Sequence, residues 1–311
     1  MGESISGGAI LRLVISAVND ADDRRLRTAL VQIAGQNTSV TINAQPQEGL
    51  YSLDGRTESE LDSICDRLRD EYHLAINVGP PTAILLETVR KKAEAEGKYI
   101  RQTGGSGNYG HCKLRIEPSE PGKGYEFVNE ISDGSVPSKY ISSIDQGIQA
   151  AMRRGVVAGF PVVDVRVTLY DGSYHETDSN ATAFTFAGSI AFKEAAKNAT
   201  PVLLEPMMAI EIEVPQELSA ATRNEIHLHR GRVESSVTGN GFSEIRAVVP
   251  LSELLVSDSG IAVCPMEFVG YEAIQDNGSS DESGPGVTAS KPNGPKPSRR
   301  SEMARPDPED D

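Results

Sequence analysis

Apolar residues recur along this chain at two periods, and the switches between them mark out its elements. In Ala9–Ala17, Leu11, Leu13 and Ile15 fall on alternate positions, as in a half-buried strand. Asp20–Ala34 then puts Leu26, Leu30 and Ile33 on one helical face, with Gly35 at its end. Ser39–Asn43 and Gly49–Leu53 are predicted as strands joined by a Gln45-Pro-Gln-Glu-Gly turn. Glu58–Tyr72 is a second helix, striped by Leu61, Ile64, Cys65 and Leu68, and His73–Val78 is a strand closed by Gly79-Pro80-Pro81. The order β-α-β-β-α-β is the ferredoxin-like split βαβ pattern.

After a connector through Arg90 comes a second block. Lys98–Gln102 and His111–Glu117 are predicted strands around a glycine-rich loop, Thr103–Gly110, and Phe127–Ile131 is a further strand. Ser138–Arg154 is an amphipathic helix (Ile141, Ile144, Ile148, Ala151, Met152), started by Pro137 and stopped by Gly155. Pro161–Tyr170 alternates as a strand, Asp171–Ser179 is a polar loop with Asp171-Gly as its turn signal, and a helix follows. Phe184, Ala187, Gly188, Ala191, Phe192 and Ala195 line one face of that helix, and Asp178 or Ser179 is placed to cap it. A polar loop held between a strand and a capped helix is suited to presentation. In the third block Val202–Val214, Arg232–Val237, Ser243–Val249 and Ile261–Tyr271 read as strands, with weaker helical signals in Pro215–Leu228 and Ser252–Leu255. Residues 1–8 are Gly/Ser-rich and expected to be loose, and the Pro/Gly/Ser-rich run from Gln275 onward is expected to be disordered.

A formal charge of −15 over 311 residues argues against a general nucleic-acid binder, whose affinity rests on neutralised phosphates. It leaves room for a small local contact. No apolar run approaches the roughly 20 residues that span a bilayer, so no membrane partner is expected. The opening residues do not read as a signal peptide, and Cys65, Cys112 and Cys264 are odd in number and widely spaced. A reducing cytoplasm is the expected setting, with neither a disulfide framework nor a zinc site. His111 and Cys112 cannot form a base–nucleophile pair, because neighbours on a strand face opposite ways. His227 and His229 would share a face of an extended chain, but no third ligand accompanies them. No G-x-x-x-x-G-K-[ST] run is present to hold a Mg-nucleotide. No catalytic residue, cofactor or metal is therefore expected. The glycines of Thr103–Gly110 could expose N–H groups to phosphate, but a strand follows them where nucleotide sites have a helix. A hairpin loop at a domain tip is the better reading.

The middle block carries long recognisable strings. Glu96-Gly-Lys-Tyr-Ile-Arg-Gln-Thr-Gly-Gly-Ser-Gly-Asn-Tyr-Gly-His111, Gly155-Val-Val-Ala-Gly-Phe-Pro-Val-Val-Asp-Val165, Leu169-Tyr-Asp-Gly-Ser-Tyr-His175 and Pro201-Val-Leu-Leu-Glu-Pro206 resemble domain IV of bacterial elongation factor G and its exit. Asp66-Arg-Leu68 and Val78-Gly79-Pro80 resemble its domain III; His229-Arg-Gly-Arg-Val-Glu234 and Val249-Pro-Leu-Ser-Glu253 resemble its domain V. The resemblance implies an α+β fold. A ferredoxin-like domain III (9–88) and a second, shortened ferredoxin-like domain V (201–273) flank a domain IV (89–200) like the second domain of a small-subunit ribosomal protein. Residues 274–311 form the tail.

In that family the tip loops of domain IV contact the messenger–transfer RNA duplex at the decoding centre of the small ribosomal subunit. By resemblance, one tip loop is Gly104, Gly105, Ser106, Gly107, Asn108 and Tyr109, and the other carries His175, Glu176 and Asp178. Arg230, Arg232 and Arg246 would be a basic group facing ribosomal RNA. The chain departs from the family at Gly55-Arg-Thr-Glu-Ser-Glu60, which replaces a Gly-Met-Gly-Glu-Leu-His run, and at Ser106, where the family has a basic residue. The function so implied is a ribosome-associated protein of translation elongation without a GTPase domain of its own. The alternatives are an interaction subunit of a separately encoded GTPase half, or a decayed paralogue with no ribosomal role.

Overall fold

The computed structural model describes residues 8–36, 39–45, 49–103, 106–256 and 266–274. The expectations for residues 1–7, the tail from Gln275, Gly104 and Gly105, Cys264 and the start of the Ile261–Tyr271 strand fall outside them.

Three antiparallel or mixed sheets follow one another along the chain. The first is built from β1 (Leu11–Ala17), α1 (Asp23–Gln36), β2 (Thr41–Gln45), β3 (Leu50–Gly55), α2 (Glu58–Asp70) and β4 (Ile76–Val78), in the spatial order β2-β3-β1-β4. β5 (Thr82–Ala83) also pairs with β1. α2 starts where Thr57 accepts from the Glu60 N–H, while Glu60 accepts from the Arg56 N–H. The Gly55–Glu60 departure thus forms a working helix cap.

β6 (Leu86–Val89), in the stretch read from sequence as a connector, instead pairs with the start of the C-terminal sheet. The middle unit holds β7 (Ala93–Thr103), β8 (Ser106–Pro118), β9 (Tyr125–Asn129), α3 (Ser138–Arg154), β10 (Val165–Ser173) and α4 (Ala181–Asn198), with strand order β7-β8-β10-β9. β9 and β10 run parallel and α3 connects them, so the two helices cover one face of the sheet. Gly147 and Gly188 let them close on each other: a Cβ on Gly188 would lie 2.5 Å from the Ile144 carbonyl oxygen. The core between helices and sheet includes Leu114, Ile116, Ile144, Val167, Phe184 and Phe192.

Several expectations are corrected here. Most of Thr103–Gly110 is strand: β7 and β8 form one long hairpin paired as far as Thr103 and Ser106. Asp171-Gly is no turn. β10 runs through it to Ser173, and the register shifts between Leu169 and Asp171, the sign of a bulge. The same strand begins at Val165, after Asp164 with φ +54°. β9 lies two residues earlier than its pattern predicts. The cap of α4 is Asn180, whose side chain accepts from the Ala183 N–H at 2.9 Å, and neither Asp178 nor Ser179 fills that role.

The C-terminal sheet repeats the topology of the first. β11 (Pro201–Pro215), α5 (Ser219–Leu228), β12 (Arg232–Gly239), β13 (Phe242–Pro250), α6 (Leu251–Val256) and β14 (Met266–Ala273) stand in the order β12-β13-β11-β14. α6 has six residues. Its Leu251 and Leu254 join Leu61 and Ile64 of α2 in one continuous core that serves both sheets.

Candidate functional site

The free end of the middle unit is where the β7–β8 hairpin meets the loop from β10 to α4. Residues 174–180 are stitched to the hairpin. The Tyr109 N–H donates to the Asp178 carbonyl at 2.8 Å, and the Ser179 hydroxyl donates to the Tyr109 carbonyl at 3.0 Å. The Gly107 N–H donates to the Asp178 carboxylate at 3.0 Å, and the Asn180 amide donates to Asn108 at 2.7 Å. A Cβ on Gly107 would sit 2.7 Å from the Asp178 carboxyl carbon, so a side chain there would displace that carboxylate. From below, the Tyr140 hydroxyl donates to the Ser179 carbonyl at 2.8 Å, while its ring stacks on Phe184. Two segments some seventy residues apart therefore present a single surface.

Within this stitching the side chains divide. Asp178 is turned inward. His175 is anchored through its N–H, which donates to Ser179 Oγ at 2.9 Å, while its side chain is 58% exposed. The imidazole Nδ1 lies 3.0 Å from Thr177 Oγ1 and 3.5 Å from Asp178 Oδ2. Glu176 is exposed. Across the hairpin, Arg101 stands opposite Asn108 and Lys98 opposite His111; both cations are exposed and neither makes an ion pair among the described residues. Just inside the tip, Ser173 Oγ lies 2.7 Å from the Tyr109 hydroxyl and 2.8 Å from His111 Nδ1, and His111 Nε2 is 3.3 Å from Glu96. Asn180, Tyr140 and Arg101 escaped the sequence reading. Asn180 carried a usable signal, because asparagine ranks with aspartate and serine as a helix cap.

The C-terminal arginines behave differently. Arg230 forms a two-pronged pair with Glu205, whose side chain is 5% exposed, and donates to Glu253 at 2.7 Å and to Ser252 at 3.1 Å. Hydrogen bonding to Glu205, followed by Glu253, holds the guanidinium firmly charged. Arg232 pairs with Glu272 at 2.7 Å, and Arg246 sits between Glu211 and Glu244 at 2.9 and 3.3 Å. Each of the three meets a carboxylate of its own.

The remaining chemistry is quiet. Cys112 is fully buried, and burial pushes its thiol up to about 12, so almost no thiolate forms at neutral pH. His111 lies on the opposite side of β8 from it, toward Ser173. His227 Nδ1 meets the Gly231 carbonyl at 3.1 Å, whereas His229 lies between Glu225 and Glu253. No group of three metal-binding side chains occurs among the described residues, and none of their helices is long and apolar enough to cross a membrane.

Residues 81–200 match the family described as elongation factor G, domain IV, and residues 202–280 match elongation factor G C-terminus. A crystal structure of a protein from Thermus thermophilus superposes with a TM-score of 0.65 at 34% sequence identity, over 85% of this chain. The chain spans 40% of the length of that protein.

Proposed function

The chain belongs to the elongation factor G family, and on that premise we propose that it is a ribosome-associated translation factor whose tip is directed at RNA of the decoding region. Residues 9–88, 89–200 and 201–273 are assigned as counterparts of the family's domains III, IV and V. The observation that carries the reading is the stitched tip: Tyr109, Asp178 and Ser179 lock the β7–β8 hairpin and the β10–α4 loop into one surface with His175 outward. An acidic chain is repelled by phosphate at long range, so its attraction must come from a few groups at short range. His175, Arg101 and Lys98 are the groups so placed. The Arg230, Arg232 and Arg246 group contributes less, because its charge is already balanced. These 311 residues contain no phosphate-loop motif and are expected neither to bind nor to hydrolyse GTP by themselves.

Co-sedimentation with ribosomes across a salt series tests this. Binding should weaken as salt rises, and His175→Ala should weaken it by roughly tenfold, the worth of one hydrogen bond to a charged group. Equal binding by both proteins would remove His175 from the interface. Binding by neither would favour a paralogue that has left the ribosome.

A further inference from the structure

A carboxylate near the base of the middle unit is fully enclosed, with no cation paired to it among the described residues. Glu87 is 0% exposed. Its Oε2 accepts from the N–H groups of Val156 (2.7 Å) and Val157 (3.1 Å). Its Oε1 accepts from those of Ala158 (2.9 Å), Gly159 (3.0 Å) and Phe160 (3.1 Å). Five consecutive amides thus converge on one anion. A buried carboxylate is strongly unfavourable unless its lone pairs are met, and successive N–H groups curled into a concavity are the backbone's own way of meeting them.

The loop is shaped for this occupant. Gly155 takes φ +69°, and a Cβ there would collide with the Phe160 carbonyl oxygen and lie 2.7 Å from Glu87 Oε1. Val157, Ala158 and Gly159 are exposed, so apolar packing gives them little support. Glu87 itself lies on β6, whose residues Leu86–Val89 pair with Leu204–Pro201 of β11. On its other edge the Glu87 N–H donates to the Pro161 carbonyl, and its carbonyl accepts from the Val163 N–H, both at 2.8 Å.

We propose that Gly155–Phe160 is a carboxylate receptor, that Glu87 is its resident ligand, and that the pair latches the C-terminal sheet to the loop leading into β10. Without the Glu87 side chain, the receptor takes up a small free carboxylate such as formate. The latch lies at the base of the middle unit and does not depend on what the tip binds.

The test is residue-resolved amide exchange on the full chain and on Glu87→Ala, in formate and in chloride at matched ionic strength. Glu87→Ala should speed exchange at residues 156–160 by about a hundredfold or more, as several hydrogen bonds to a charged group are lost together. Formate should slow it again, and chloride should not. Unchanged exchange in Glu87→Ala, or equal exchange in the two salts, would overturn the proposal. Should the alanine variant not fold, Glu87→Gln keeps the volume but turns an N–H₂ group toward the N–H donors. Faster exchange at 156–160 is expected there also, and wild-type exchange in that variant would equally overturn it.

Discussion

The tip and the C-terminal arginine cluster are both polar, and both join residues far apart in sequence, yet they dispose of their polar groups in opposite ways. At the tip the inward bonds are made mostly by backbone and by short side chains such as Ser179 and Asn180, which leaves His175, Arg101 and Lys98 facing solvent. In the C-terminal sheet the long cations themselves make the bonds, and carboxylates claim them. In a chain of net charge −15 an arginine is available to a partner only where no carboxylate has reached it first. Availability therefore follows from neighbours in space.

The strongest way to break this contrast is Arg230→Ala. It would leave Glu205 enclosed with Ser252 Oγ at 3.0 Å as its remaining side-chain partner, and stranding a buried charge costs about 3–5 kcal/mol. Urea denaturation measures it; a loss below ~1 kcal/mol would place the cluster with ordinary exposed ion pairs. At the tip, Asn180→Ala removes a helix cap and the contact to Asn108. It should cost about 1 kcal/mol, read as an earlier melt that Asn180→Asp largely avoids.

Acid sharpens the comparison further. The Arg230 hydrogen bond, ahead of the contribution from His229, holds the Glu253 carboxyl below its usual range. A depressed native value means stability that is present above the unfolded value of about 4.3 and lost as pH falls through the native one. Wild type should thus lose more stability than Glu253→Gln on acidification below that point, and parallel pH curves would contradict it. The smallest effect is expected at the surface. His175→Ala should leave the melting temperature unchanged, since an exposed substitution moves stability by no more than about 0.5 kcal/mol. A clear drop would make the histidine part of the stitching.

Periodicity carried the fold well where an element's own residues settle its limits. Pro137 and Gly155 bound α3 as predicted, because a fixed φ at one end and a positive φ at the other are local properties. It failed where glycine had a distant cause. Gly107 and Gly110 read as loop, but they lie in a strand, where the Asp178 carboxylate and the Ala183 backbone occupy the space of a side chain. Asp171-Gly likewise read as a turn, when only pairing with β8 distinguishes a bulge from a turn. At the candidate site, the strings around Asn108 and His175 were legible, but their mutual contact was not. The carboxylates opposite Arg230 lie 23 and 25 residues away along the chain, beyond any local pattern. Glu87 was invisible for the same reason, as its five donors begin 69 residues later.

α4 has a mechanical meaning beyond its share of the core. Its 18 residues make a rod about 27 Å long. One end is pinned at the tip through Asn180; at the other, the Ala199 carbonyl accepts from the N–H groups of Arg90 and Lys91 at 3.1 and 2.9 Å. Along its length the backbone bears directly on Ile144 through Gly188 and on β7 through Gly97, with no compressible side chain between. Close-packed contacts of this kind transmit strain instead of absorbing it. A load on His175 and its loop is thus carried along the rod to Arg90, next to the strand that the C-terminal sheet shares.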